Sequence, residues 1–222
     1  MKKTTLTLLS ILFVISSFAQ NISAEVNNFE PSKVFLFTEK IETENVLKVV
    51  VDTSIKTFDE PTFAKLKNIS FENGTIEVKV LSRLITNAPD WARGFIGLAF
   101  RIDDKNTKFE SIYIRPTNGR TDNQIRRNHS IQYFAFPDYK FERLRKESPE
   151  LYETYADMGL NEWITMRIEV KGKEAKLFIN NSKHPVLIVK DMKLGENTEG
   201  SIGLWVGNWT EGYFRDLKVI KQ

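Results

Sequence analysis

Ile164-Thr165-Met166-Arg167-Ile168-Glu169-Val170 alternates apolar and polar residues without a break, as a strand with one face on a core and one in water must. Lys171-Gly172-Lys173-Glu174 follows and residues 175–179 turn apolar again, so the run reads as a β-hairpin. Working outward, the same period of two marks residues 75–80. Further strands are expected at 46–51, 95–102, 109–115, 130–136, 186–189, 202–206 and 213–220. Turn-forming clusters separate them, among them Glu72-Asn73-Gly74, Thr117-Asn118-Gly119 and Asn180-Asn181-Ser182. Strands at such spacings predict an all-β sandwich or barrel. Residues 141–157 depart from the pattern. They are rich in charge and read as a short irregular or helical excursion, broken at Ser148-Pro149.

The N-terminus has a different character. Met1-Lys2-Lys3 precedes an apolar run from Leu6 to Ile15, and Ser17 and Ala19 supply a small-x-small exit. That is the pattern of a signal peptide over residues 1–19, with cleavage expected near Ala19 and a periplasmic or secreted destination. The apolar run is shorter than the roughly 20 residues that span a bilayer, so no stable membrane insertion is expected after cleavage. The remaining 20–222 has the length of one larger all-β domain. Removing Lys2 and Lys3 leaves 30 basic residues against 29 acidic ones, and near-neutrality argues against nucleic acid as a partner. With no cysteine, the chain has neither disulfides nor thiolate chemistry. Sixteen Phe and four Trp must supply the core.

Two strands place glycine where a side chain is expected. In residues 96–102 the set Ile96, Leu98, Phe100, Ile102 reads as core, leaving Gly97, Ala99 and Arg101 opposite; in 201–207 Gly203, Trp205 and Gly207 lie opposite Ile202, Leu204 and Val206. Glycine in a strand marks an open face for a ligand, a bulge or close packing, and the residues alone leave these open. Glu162-Trp163-Ile164, Ile168 to Gly172, Leu177-Phe178-Ile179-Asn180-Asn181, Gly200-Ser201-Ile202-Gly203-Leu204-Trp205 and Phe214 to Val219 together resemble the closing half of concanavalin A-like lectin/glucanase domains. The resemblance is closest to the exported bacterial branch of laminin G-like and 3-keto-disaccharide hydrolase-like domains. It implies a jelly roll of two antiparallel sheets, with ligands on the concave sheet or its rim loops. The E-x-D-x-E strand of the glucanases and the Asp/Asn metal pair of legume-type lectins are both missing, so no catalytic residue carries over.

Chemistry concentrates between Glu110 and Lys146. Six of the eleven arginines fall there, Arg115, Arg120, Arg126, Arg127, Arg143 and Arg145, interleaved with Asn118, Asn128, His129, Gln132, Tyr133 and Tyr139. Arginine forks bind carboxylate, phosphate or sulfate bidentately; a solvated loop with surface ion pairs is the plain alternative. By strand parity Tyr113 and Arg115 face away from the core, and Glu110 faces it as a partner for a buried arginine. His129 reads as a general base, a sugar ligand or a structural histidine. Trp91 and Trp209 read as stacking platforms or as caps on the core. Asp122, Asp138, Glu142, Asp157 and Glu211 form no diagnostic carboxylate pair. Calcium is the one cofactor left open, at Asp103-Asp104-Lys105-Asn106, though the order does not match a calcium loop.

Three functional readings follow. The first is an exported, lectin-like carbohydrate-binding domain for acidic or sulfated glycans, with Arg101, Tyr113, Arg115, Arg120, Arg126, Arg127, Arg145 and Trp205 as ligand-binding residues. The second is a glycoside hydrolase or lyase acting on a (3-keto) glycoside, with His129 as base. The third is a structural or protein-interaction domain.

Overall fold

Alternation along the chain becomes pairing between strands in the computed structural model, which describes residues 19–222. The signal segment lies, but for Ala19, outside the described residues. In chain order the strands are β1 Ala19–Ile22, β2 Phe29–Ser32, β3 Val34–Ile41, β4 Glu44–Val51, β5 Phe63–Leu66, β6 Gly74–Leu84, β7 Ile96–Ile102 and β8 Phe109–Ile114. They continue with β9 Ile131–Phe136, β10 Glu153–Thr154, β11 Ile164–Lys171, β12 Glu174–Ile179, β13 Leu187–Val189, β14 Ser201–Val206 and β15 Thr210–Lys221. Helices are short: α1 Pro116–Gly119, α2 Gln124–Asn128 and α3 Phe141–Glu147. Among the described residues no helix is long and apolar enough to cross a membrane.

One sheet runs β13-β12-β11-β6-β15-β4-β3, with β1 also on β15; the other runs β10-β9-β8-β7-β14-β5-β2. Every pairing is antiparallel. The β11–β12 hairpin forms as read, with Lys171 opposite Glu174 and Gly172 in the left-handed region at φ 56°. Ile164, Met166, Ile168 and Val170 point into the core with Ile76, Val78 and Val80 of β6, all nearly inaccessible. β15 is long enough to take two partners on one edge: Glu211–Phe214 pairs with β4, and Leu217–Ile220 pairs with β1.

β7 is where simple alternation fails. Opposite Ser201 and Gly203, its register slips between Ile102 and Ala99, and Arg101 sits at φ 54°. This is a β-bulge, one extra residue that re-aims the side chains after it. Ile102 swings to the glycine face, its Cδ1 2.8 Å from where a Gly203 side chain would begin. Arg101, expected on the open face, turns instead toward the loops of the other sheet and is fully buried.

Candidate functional site

The glycines of β7 and β14 leave room for rings. A side chain at Gly97 would start 2.5 Å from the Tyr113 Cα, and one at Gly207 2.6 Å from the Phe95 Cβ. Close packing is therefore what these glycines serve. Tyr113 of β8 and Trp205 of β14 lie ring against ring, 4.8 Å between centroids, with Phe134 of β9 edge-on to both. This aromatic layer, almost entirely buried, floors a cavity of about 280 Å³, near the lower end of small-ligand pockets. The Trp205 indole N–H donates to the Glu60 carbonyl at 2.9 Å, which ties the floor to the β4–β5 loop.

One wall is a guanidinium–carboxylate cluster. Two-residue β10 pairs with β9 and sets Glu153 opposite Gln132. Glu153 accepts from the buried Arg115 Nη1 at 3.0 Å and from Arg145 of α3, whose Nε is at 2.9 Å and whose Nη2 makes a second bond. Arg115 also donates to the His129 carbonyl, the Tyr113 hydroxyl and Gln132 Oε1. Arg115 therefore frames the cavity, with most of its fork already engaged. Burial works to raise the Glu153 pKa, but the Arg145 hydrogen bond and the two arginine charges outweigh it, so the net shift is downward. His129 caps α2, its Nε2 3.7 Å from Glu153. Burial holds its pKa below the ordinary value, with Arg145 and Arg115 adding to this against Glu153, so the imidazole is neutral at neutral pH.

Two further arginines are left without a carboxylate. Arg126 is placed by the Asn123 cap on α2 and touches Asn118 Oδ1 at 3.3 Å. Arg93, from the β6–β7 loop, donates only to the carbonyls of Asp90 and Ala92. Neither forms an ion pair among the described residues. Burial, then the charges of Arg126 and Arg115, lower the Arg93 pKa, as expected for cations crowded together. Phe58 and Trp91 meet edge to face at 5.2 Å at the cavity rim and are partly exposed.

Across from the arginines stands Asp59. Its backbone is left-handed at φ 51°, its side chain buried, and its Oδ2 accepts the Phe141 N–H at 2.7 Å. Burial pushes its pKa up to about 6, against the Phe141 N–H and the charges of Arg115 and Lys140. A carboxyl raised from about 3.8 to about 6 favours the protonated fold, so its ionisation costs stability as pH rises through that window and the cost is complete above it. Asp59→Asn, which keeps an acceptor for Phe141, is expected to raise stability by about 2–3 kcal/mol near neutral pH. Below about pH 4 the two proteins should melt together, and thermal melts at the two pH values check this.

Of the eight residues expected to bind ligand, together with His129, the six Tyr113, Arg115, Arg126, His129, Arg145 and Trp205 border this cavity. Three do not, and these are corrections. Arg101 is drawn away by the bulge. Arg120 is exposed and held by Asp157 and Glu162. Arg127 lies over Tyr155, bonding its hydroxyl at 2.9 Å. Glu110, expected to partner a buried arginine, is buried but accepts from Tyr133 and the Leu194 N–H, with Arg101 acting on it only as a nearby charge. At the loop left open for calcium, the carbonyls of Asp103 and Asp104 and the Asn106 Oδ1 converge on the Lys65 ammonium. Asp59, Arg93 and Glu153 were missed in the sequence. Asp59 had only the turn signal of Phe58-Asp59-Glu60-Pro61, and Glu153 had none.

No curated protein sequence matches the chain. Among solved structures it is similar to a carbohydrate binding module from Bacillus subtilis (TM-score 0.57, 14% identity, 86% of this chain and 95% of that one). It is also similar to a putative glycosyl hydrolase from Parabacteroides distasonis (0.54, 15%, 92% and 100%). A third is a Bacillus subtilis protein with a galectin-like fold (0.52, 12%, 89% and 90%). These likenesses bear out the expected concanavalin A-like jelly roll. The model of the 3-keto-alpha-glucoside-1,2-lyase-like domain spans residues 43–220, which takes in β4 to β14, most of β15 and every residue of the cavity, and the chain belongs to that family.

Proposed function

We propose that the cavity binds one terminal unit of a carbohydrate that carries an anionic group, a uronate carboxylate or a sulfate, in a periplasmic or secreted protein. The observation that carries this is that Arg93 and Arg126 both line the cavity and form no ion pair among the described residues. A cation pair left unneutralised beside an aromatic floor favours an anion with an attached ring. The size suits one sugar ring, and Phe58 and Trp91 offer faces to the next unit. A carbohydrate binding module among the structures of similar fold supports sugar as the ligand class.

Titration calorimetry with methyl glucuronide, a sulfated methyl glucoside and plain methyl glucoside tests the reading. Arg93→Gln and Arg126→Gln are each expected to weaken the charged sugars by about 10–100-fold, the worth of one charge-assisted hydrogen bond, with little change in melting temperature. Equal affinity for charged and uncharged glucosides would remove the anionic part of the proposal.

A second reading is catalytic. Asp59, a buried carboxyl that titrates near neutrality, and His129, a neutral imidazole, both border the cavity. Such groups suit general acid–base chemistry on a glycoside, with the family's name pointing to 3-keto-glucosides. Incubation with 3-keto-glucosides, followed by product analysis, separates turnover from binding alone.

A further inference from the structure

We propose that Asp59 is the discriminating group of the cavity: protonated, it lets an anionic sugar settle against the arginines, and ionised, it turns the cavity toward uncharged sugars. This rests on the binding reading above and adds the residue that decides between ligands.

The argument starts from placement. Asp59 is the buried carboxyl of the cavity that has no ion-pair partner among the described residues; Glu153 is consumed by Arg115 and Arg145, and Glu60 by Lys140 at 2.6 Å and Lys33 at 2.9 Å. The groups that bear on Asp59 come from each element packed on it. β8 brings Tyr113 and, just past its end, Arg115. The start of α3 brings the Phe141 N–H and Lys140, and its body brings Arg145. Beyond Arg115 lie Glu153, which stays ionised, and His129. Tyr113 stays a neutral phenol because burial pushes its pKa far up. The groups here that change charge on the acid side of neutrality are therefore Asp59, at about 6, and His129, below its ordinary value.

The consequence is electrostatic. Ionised Asp59 cancels one unit of the positive field that Arg93, Arg126 and their neighbours set up. A bound sulfate in the same cavity repels that carboxylate and raises its pKa. By linkage, each unit by which the ligand raises the pKa appears as a tenfold loss of ligand affinity once pH exceeds it. A neutral sugar feels no such penalty and gains a strong hydroxyl acceptor.

The test measures binding of a sulfated methyl glucoside, charged at every pH used, and of methyl glucoside, from about pH 5 to about pH 7.5. For the unaltered protein, affinity for the sulfated sugar is expected to fall about tenfold over that range. Affinity for the uncharged sugar should hold or rise. Asp59→Asn should bind the sulfated sugar with the high-affinity value throughout and bind the uncharged one more weakly. His129→Gln should keep the slope, which separates the two titrating groups. NMR titration of the Asp59 carboxyl should show its midpoint rising when the sulfated sugar is added. A slope that survives in Asp59→Asn, or a midpoint unmoved by bound sulfate, overturns the proposal. Flat, arginine-dependent binding of the sulfated sugar overturns it while leaving the binding reading intact. Absence of binding by any charged sugar removes both.

Discussion

Glu153→Ala is expected to destabilise the fold by about 3–5 kcal/mol, the cost of breaking a buried ion pair from one side. Glu153 is nearly inaccessible and holds Arg115, itself buried, together with Arg145. Removing it leaves the Arg115 guanidinium in the interior with an uncompensated charge. Urea unfolding should show the midpoint moving with little change in slope, because the surface exposed on unfolding is unaltered. Charged-sugar binding should be lost as well, since Arg145 and α3 lose their anchor. A Glu153→Leu, Arg115→Met double variant should recover much of the stability, as apolar replacement of both partners often does, without recovering binding. The Glu153 pKa is depressed in the fold, so its stabilisation is present above the unfolded value of about 4.3 and is lost as pH falls below it. That sign is opposite to the one for Asp59. A near-wild-type midpoint for Glu153→Ala would show that the cluster holds no net stabilisation.

Arg101→Ala is expected to cost about 3 kcal/mol or more while leaving sugar binding untouched. The Arg101 Nε and Nη2 bond the Glu72 carbonyl at 3.0 and 2.9 Å, Nη2 also bonds Gly172 at 2.8 Å, and Nη1 bonds Gly195 at 2.9 Å. These three carbonyls belong to three different loops, so one side chain closes an end of the sandwich. Each carbonyl left unpaired in the interior costs roughly 1–3 kcal/mol. Arg101→Met, close in volume, should fare little better, because the deficit is in hydrogen bonds rather than packing. Guanidinium unfolding and calorimetry on the same preparations separate stability from binding. A loss of sugar affinity at full stability would return Arg101 to the binding face.

These two arginines show where sequence reading succeeds and where it stops. β11 and β12 were legible because their alternation is complete and their turn is a Gly-containing pair. β3 was not, because it is an edge strand whose Phe35 and Phe37 point into water, so apolar residues fall on both of its faces. Arg115 and Arg101 looked alike in parity. Only the bulge, which a partner strand defines, separates them. The arginine-rich segment announced itself by composition, yet three of the cavity's decisive groups came from elsewhere: Asp59 from the β4–β5 loop, Arg93 from the β6–β7 loop, and Glu153 from a strand of two residues. Long-range pairing sets those positions, and no local period records it.

The double partnership of β15 has a consequence for how the molecule presents itself. Its Thr210 end adjoins Asn208 and Gly207 at the cavity, whereas its far end carries the pairing of Ala19 with Ile220. A strand of this length puts roughly 35 Å between them. Whatever is fused or anchored ahead of Ala19 or beyond Ile220 therefore departs from one shared point at the pole opposite the opening. A tether at either end holds the molecule by the end remote from the cavity.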